Sequence, residues 1–195
     1  MIDPTTGLLR VLQVLDLLEI HYMVGGSGAS SVHGVWRSTG DIDIVARIRP
    51  EDIEPLAEEL QRDFYVETGQ IRSALERSRS FNLIHLPSSY KFDIFPLTSD
   101  AYQQVQFGRR RFTQSKVFGS EPIEFAVATA EDVILSKLRW YRLGGEISEQ
   151  QWNDVLGVIS VQRERLDLEY LHEWARYLKV DDLLDQVLAE RHEPF

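Results

Sequence analysis

Two aspartates separated by one residue are the first feature of this chain that could do chemistry. Asp41 and Asp43 stand in the short segment Asp41-Ile42-Asp43-Ile44. Alternate side chains of a strand share a face, so both carboxylates would lie on one face and both isoleucines on the other. Two neighbouring negative charges need a counter-charge, and Mg²⁺ is a hard ion that takes oxygen ligands between carboxylates and phosphates. The pattern predicts a magnesium site.

A glycine-rich turn lies one short helix before these aspartates. The apolar strand 22–24 runs into Gly25-Gly26-Ser27, and the small residues 28–32 that follow can start a helix. The free N–H groups of such a junction can bind an anion, so the backbone and the Ser27 hydroxyl are expected to hold the β and γ phosphates of a nucleoside triphosphate. Arg37 would neutralise triphosphate charge. Thr39 either contacts the nucleotide or satisfies the backbone at the turn before the strand.

A third carboxylate, Asp93, lies in the apolar segment YKFDIF, which the turn Pro87-Ser88-Ser89 joins to FNLIHL as a hairpin. A phosphate-binding turn beside paired metal-binding carboxylates suggests nucleotide chemistry. In nucleotidyl transfer, a metal site lowers the pKa of the attacking hydroxyl and neutralises the leaving oxygens. Asp41 and Asp43 would hold two Mg²⁺ ions. Asp93 would complete the ion that faces the acceptor and accept the proton of the hydroxyl.

Taken together, these motifs resemble the signature of the nucleotidyltransferase superfamily, with the AbiEii-like and related toxin-type nucleotidyltransferases as the nearest match. The resemblance rests on Gly25-Gly26, His33-Gly34 and the segment 37–44, and it continues in 131–140 and 152–155. It implies a third carboxylate on a neighbouring strand. It also implies the role of a toxin, in which transfer to tRNA or a similar target stops growth and a separately encoded antitoxin protein restrains it.

Lys137 is the candidate site residue of the C-terminal part. A 100° step along the predicted helix 129–143 places it in the same apolar arc as Ile134 and Leu138, so it should face the first domain and its polar cleft. The alternative is an ion pair with an acid of the sheet domain. Ser136-Lys137-Leu138 matches the family's helical motif, whose lysine is implicated in nucleotide binding or catalysis. Helical spacing puts Asp154 opposite the Trp152 stripe, and therefore on a solvated face.

The element pattern predicts an α+β fold with a nucleotidyltransferase-like mixed sheet flanked by helices. We expect a core domain over residues 1–128, where strands and helices mix. From Thr129 the apolar period becomes helical, so residues 129–195 should form a C-terminal helical region. An opening helix over 6–21 and a second from Pro50 should pack on the sheet, and residues 70–80 are either a short helix or a loop.

Composition limits the possible partners. The 195 residues carry a net charge of −10, which argues against a broad nucleic-acid surface, and no cysteine, which fits a reducing cytoplasm. The run Arg109-Arg110-Arg111 with Lys116 is either a local contact for an RNA backbone or a solvated face. Charges within the apolar segment 8–20 exclude a signal peptide or membrane span, so no membrane partner is expected.

Other residue types with chemical potential are given structural roles. His33 is expected to end a helix rather than bind a metal ion. Trp140, Trp152 and Trp174 are expected in the core rather than as stacking platforms for bases.

Two classes of function remain. The first is an active magnesium-dependent nucleotidyltransferase that moves a nucleotide from a nucleoside triphosphate to a hydroxyl of an RNA, a protein or a small molecule. The second is a nucleotide-binding or partner-binding module that has kept the fold and lost turnover. Because all three carboxylates are present, the sequence favours the first.

Overall fold

The computed structural model describes residues 4–190, which form one mixed sheet packed between helices. The strands are β1 (Tyr22–Val24), β2 (Asp41–Ala46), β3 (Phe64–Tyr65), β4 (Phe81–His85), β5 (Lys91–Pro96), β6 (Arg111–Ser115) and β7 (Ile123–Val127). The helices are α1 (Thr5–Leu17), α2 (Gly26–His33), α3 (Ile53–Leu60), α4 (Thr68–Arg77), α5 (Ala101–Arg109), α6 (Ala130–Leu143), α7 (Glu149–Gln162), α8 (Leu168–Leu178) and α9 (Asp181–Glu190).

The sheet has the strand order β3-β4-β5-β2-β1-β7-β6. Strand β2 lies at its centre, parallel to β5 and antiparallel to β1, and β1 pairs with β7 in parallel. Both parallel and antiparallel pairs are present, so the predicted α+β fold with a mixed sheet flanked by helices is confirmed. The pairing of β4 with β5 confirms the predicted hairpin.

Alternation along β2 and β5 separates a core face from a polar face. Ile42, Ile44, Phe92 and Ile94 are buried, and Gly7 of α1 lies close against the Phe92 ring. The residues between them, which include the three predicted aspartates, are only partly buried. Burying four large apolar side chains on one face fixes the register of both strands, because a shift by one residue would expose them.

The C-terminal helices return to the polar side of the sheet. Helix α6 begins directly after β7, with Thr129 as its N-cap, and α7 begins after the N-cap Ser148. Helices α6 and α7 pack on each other and both contact α2. The change from sheet to helices falls at the predicted position, although the division into units 1–128 and 129–195 stays a prediction.

Several element boundaries differ from the sequence predictions. Helix α1 ends at Leu17 rather than His21, because Glu19 adopts a left-handed φ of 53° and the Ile20 N–H bonds to the Leu15 carbonyl. Pro50 starts a short 3₁₀ turn before α3, and residues 68–77 form a complete helix. Arg191, at the predicted end of the last helix, lies outside the described residues. No helix within 4–190 is both long and apolar enough to cross a membrane.

Candidate active site

The three predicted carboxylates lie on the same face of the sheet. Asp43 and Asp93 are direct neighbours across the parallel pair β2 and β5, and Asp41 is two residues before Asp43 on β2. Burial, followed by repulsion from Asp41 and Asp93, raises the pKa of Asp43 from 3.8 to about 6. The predicted crowding of negative charge is therefore present at Asp43, where it adds to the effect of burial.

Lys91 is a member of this cluster that sequence reasoning missed. It is the register partner of Asp41, and its Nζ lies 3.4 Å from Asp41 Oδ2 and 2.9 Å from Asp93 Oδ2. The hydrogen bond to Asp93 is the main reason why the pKa of Lys91 is raised. The second oxygen of that carboxylate, Asp93 Oδ1, is buried and has no hydrogen-bond partner within residues 4–190.

The carboxylates fit a divalent cation in their chemistry. In the described part of the chain, no three His, Asp or Glu side chains are arranged to hold a metal ion as they stand. Lys91 supplies only one positive charge to three acids, a buried Asp93 oxygen lacks a partner, and the pKa of Asp43 is raised. One cation for three acids is a shortage of positive charge, and repulsion from Asp41 and Asp93 adds to burial in raising the pKa of Asp43. A hard dication with oxygen ligands would supply that charge.

The glycine turn places the start of α2 against the carboxylates. Gly25 is the N-cap residue, and its N–H donates to the Asp43 carbonyl at 2.9 Å. Gly26 has a φ of +51°, and a Cβ at that position would overlap the Asp43 carboxylate. The expected phosphate-binding turn requires glycine here, because a side chain would block the approach of a phosphate to the backbone. The structure adds a second requirement, since Gly26 also makes room for Asp43.

A cluster of two cations and one acid lies on the other side of Ser27. Lys137 is 4% exposed, and its Nζ is 2.7 Å from Asp154 Oδ2. Arg37 makes a bidentate pair with the same carboxylate, with distances of 2.8 and 2.9 Å. Both cations also donate to the Ser27 hydroxyl, Arg37 at 2.6 Å and Lys137 at 3.3 Å. We name Arg37, Lys137, Asp154 and Ser27 the cation cluster.

Asp154 corrects the sequence prediction of a solvated face. It is buried, because the side of α7 opposite the Trp152 stripe packs on α6 and α2 rather than facing water. Burial alone would raise the pKa of Asp154, but the hydrogen bonds from Arg37 and Lys137 outweigh it and lower the pKa. The ion pair of Lys137 is therefore with an acid of the helical region, and not with one of the sheet domain.

The cation cluster is suited to bind an anion. Two positive charges against one negative charge leave a net charge of +1 beside the N-terminus of α2, whose first N–H groups have no acceptor within the helix. The Ser27 oxygen accepts hydrogen bonds from two cations, so its own proton is free to point elsewhere. The cluster therefore offers an anion both positive charge and hydroxyl and amide donors.

A cleft of about 510 Å³ is lined by members of both groups, but Asp93, Arg37 and Asp154 are not among its lining residues. Asp41 and Asp43 line it from β2, Gly25 to Ser27 from the turn, and Lys137 from α6. Trp140 also lines the cleft and is 58% exposed, so its expected place in the core was wrong. Trp152 and Trp174 pack against the core as expected.

Thr39, His33 and the basic run 109–111 are the other residues whose roles were left open or assigned to structure. The Thr39 hydroxyl donates to the Asp41 carbonyl at 2.8 Å, so it does satisfy the turn before β2. His33 ends α2 and bonds through Nε2 to the Ala128 carbonyl at 2.7 Å, as expected of a helix-end residue. Arg109 is paired with Glu131 and Asp132. The basic run is therefore partly neutralised by acids that are distant in sequence.

Comparisons with known proteins agree with this description of the fold. No protein-family model matches the chain, and no curated protein matches its sequence. The solution structure of the antibiotic-resistance factor ANT(2'')-Ia aligns over 94% of this chain and 99% of its own, with 13% identity and a TM-score of 0.52. Its crystal structure with adenylyl-2''-tobramycin aligns over 89% of this chain and 95% of its own, with 12% identity and a TM-score of 0.52.

A third similar structure is an antigenic nucleotidyltransferase-like protein from Paracoccidioides brasiliensis. It aligns over 94% of this chain and 91% of its own, with 17% identity and a TM-score of 0.50. Identities this low carry information about the fold and not about the substrate. The mixed sheet, the flanking helices and these alignments together show that the chain has the nucleotidyltransferase fold.

Proposed function

We propose that this protein is a magnesium-dependent nucleotidyltransferase, which moves a nucleotide from a nucleoside triphosphate to an acceptor hydroxyl. One observation carries the proposal: Asp41 and Asp43 of β2 line the same cleft as Ser27 and Lys137 of the cation cluster, together with the glycine turn. A triphosphate needs both, because its α-phosphorus must meet the acceptor while its terminal phosphates are held as a leaving group.

The phosphate end of the substrate would be bound by the turn and the cation cluster. The N–H groups at the start of α2 and the Ser27 hydroxyl would donate to the β and γ phosphate oxygens. Lys137 and Arg37 would neutralise the charge that develops on the leaving pyrophosphate. Asp154 holds both cations through its two oxygens, so it would orient them without touching the substrate.

Asp41, Asp43 and Asp93 would hold two Mg²⁺ ions, which when bound lower the pKa of the acceptor hydroxyl and neutralise phosphate charge. Asp93 would complete the ion that faces the acceptor and accept the hydroxyl proton. Lys91 would have to move from between Asp41 and Asp93. Its side chain is 40% exposed, so it can turn toward solvent.

The acceptor and the biological role belong to the same proposal. The resemblance to toxin-type enzymes supports tRNA or a similar target as the acceptor and a cognate antitoxin as a partner. The absence of cysteine fits a location in the cytoplasm. The adenylyl-2''-tobramycin bound to ANT(2'')-Ia supports a small molecule. For an RNA acceptor, the exposed Arg111 and Lys116 are the available contacts. Arg109 is held by Glu131 and Asp132, and Arg110 donates to the Phe107 carbonyl at 2.7 Å.

A transfer assay tests this function. Purified protein is incubated with each α-labelled nucleoside triphosphate, Mg²⁺, and cell RNA, cell protein or hydroxyl-bearing small molecules in separate reactions. We expect label in one acceptor class, and none with Asp41→Asn or when Mg²⁺ is chelated. A folded wild-type protein that binds triphosphate and labels no acceptor would support the alternative, an inactive nucleotide-binding or partner-binding module.

The toxin role has its own test. Induced expression of the wild-type chain should arrest growth, and expression of Asp41→Asn at the same level should not. Equal growth with both proteins, at matched expression, would remove the toxin role and leave the transferase chemistry untouched.

A further inference from the structure

The cleft wall beyond the cation cluster has an exposed aromatic ring. Six residues of α6 line the cleft, and all except Arg139 recur at helical spacing: Val133, Ser136, Lys137, Trp140 and Leu143. Trp140 follows Lys137 by three residues, which places it about 4.5 Å farther along the helix axis. Its indole is 58% exposed, whereas the rings of Tyr102, Phe107 and Phe125 are buried. Helix α6 therefore presents a large apolar plane next to the phosphate-binding residues.

The amide of Gln151 on the neighbouring helix α7 has an oxygen without a hydrogen-bond partner among residues 4–190. The rings of Tyr141 and Trp152 pack with centroids 5.2 Å apart and join α6 to α7. The residues that precede them, Trp140 and Gln151, both line the cleft. Gln151 Oε1 is buried and has no hydrogen-bond partner within the described residues. A buried acceptor without a partner is costly, so this oxygen is suited to a donor on a ligand.

The charge of this part of the cleft defines the ligand further. Among the described lining residues the only acids are Asp41 and Asp43, which belong to the carboxylate cluster. Arg139 faces Asp100 at 3.7 Å and Lys137 is paired with Asp154, so both lining cations have an acid partner. The other polar side chains that line the cleft are neutral, and most of them are glutamine amides. A neutral, planar group with an N–H donor would match the ring, the amide and the absence of an unpaired charge beside them.

We propose that Trp140 and Gln151 form the binding site for the nucleobase of the triphosphate, which rests on the function proposed above. The base stacks on the indole, and Gln151 Oε1 accepts a hydrogen bond from an exocyclic amino group. Amine-bearing bases are then preferred over bases without that group. Adenine is such a base, because a glutamine amide can bond to its amino group and the adjacent ring nitrogen together. The terminal phosphates lie at Lys137 and Ser27.

Calorimetric titrations of the full chain with three ligands test the proposal. The ligands are ATP, purine riboside triphosphate, which lacks the amino group, and inorganic tripolyphosphate, which lacks the nucleoside. Trp140→Leu should weaken ATP binding about 10-fold, within the range for loss of one stacked base, while Trp140→Phe should retain most of the affinity. Tripolyphosphate should bind all variants equally. Tyr65→Leu, on β3 and 55% exposed, is the matched control and should bind ATP as the wild type does.

Gln151→Ala tests the hydrogen bond separately. The wild type should bind ATP several-fold more tightly than purine riboside triphosphate, and the variant should bind the two equally. Unchanged ATP affinity in folded Trp140→Leu would overturn the proposal, and so would a loss of transfer to the acceptor without a loss of ATP affinity. If tripolyphosphate binds as tightly as ATP, the base site is wrong while the proposed function stands. If neither ligand binds the wild type, the proposed function itself fails.

Discussion

Asp43→Asn tests the claim that the carboxylate cluster is under electrostatic strain without its cation. The change keeps the shape of the side chain, and hence its fit over Gly26, but removes the charge. The pKa of Asp43 rises from 3.8 to about 6 on folding, so the folded protein holds this proton more tightly than the unfolded chain does. The contribution of the protonated carboxyl to stability is therefore fully present below about pH 3.8 and is lost as the pH rises through about 6.

The size of the effect follows from the same shift. About two pH units at 1.36 kcal/mol each give roughly 3 kcal/mol of destabilisation above pH 7, about half of that at pH 5, and almost none at pH 3. Asparagine is neutral throughout and should not incur this cost. We therefore expect Asp43→Asn to raise the free energy of unfolding by about 3 kcal/mol at pH 7.5 and by about half as much at pH 5.

Urea denaturation at pH 7.5 and pH 5 measures both values. Asp185→Asn, an exposed carboxylate of α9 with 71% side-chain exposure, is the control and should change stability little at either pH. Mg²⁺ should stabilise the wild type at pH 7.5, because it supplies the missing charge, and should stabilise Asp43→Asn much less. Equal stability of Asp43→Asn and wild type at pH 7.5 would refute the reasoning, because the carboxylates would then be accommodated without a cation.

Three further changes test separate parts of the site. Lys137→Ala should abolish transfer and destabilise the fold by about 3 kcal/mol, because it leaves the buried Asp154 with one cation fewer. A folded variant with the wild-type transfer rate would remove Lys137 from the site. Gly26→Ala should shift the Asp43 carboxylate and eliminate transfer, whereas Gly69→Ala, which has open space around the new Cβ, should leave transfer unchanged; normal transfer by Gly26→Ala would contradict the close approach. Lys91→Ala should lower the Mg²⁺ concentration for half-maximal transfer a few-fold, because it removes a cation that competes for the same carboxylates. If the variant needs more Mg²⁺ than the wild type, the lysine assists the metal ion instead.

The elements that position the site could be predicted because each has a periodic pattern of its own. Alternating isoleucines and carboxylates in β2 fix which side chains share a face, and the core then fixes the register. The 100° step of α6 likewise placed Lys137 toward the sheet. These patterns are local, so the apolar face of each element can be identified without knowing how the other elements pack.

Lys91 lies two residues before Asp93, so the alternation that puts Asp41 and Asp43 on one face also predicts its place beside Asp93. Only its contact with Asp41 requires the alignment of β2 with β5. Asp154 could not be predicted from such a pattern, because its burial depends on the packing of separate helices. Helix α7 is covered on two sides, since the end of α2 at Gly34 lies directly against its backbone at Val158. The single apolar stripe in the sequence therefore predicts only one of the two buried faces of α7.

The expected burial of Trp140 was wrong for a related reason. The stripe of α6 toward the sheet was correct, but the sheet and the helix are separated there by the cleft, so the outer part of the stripe faces open space. Amphipathic periodicity indicates which side of a helix faces the rest of the protein. It does not distinguish a packed interior from a binding site.

Transfer of differently labelled phosphates tests the central claim most directly. The acceptor identified by screening is incubated with Mg²⁺ and a triphosphate labelled either at the α or at the γ phosphorus, using wild type and Asp41→Asn. If attack is at the α-phosphorus, the acceptor receives the α label and the γ label leaves in pyrophosphate. With Asp41→Asn, we expect neither a labelled acceptor nor labelled pyrophosphate. Labelling of the acceptor from the γ position would contradict nucleotidyl transfer at this site.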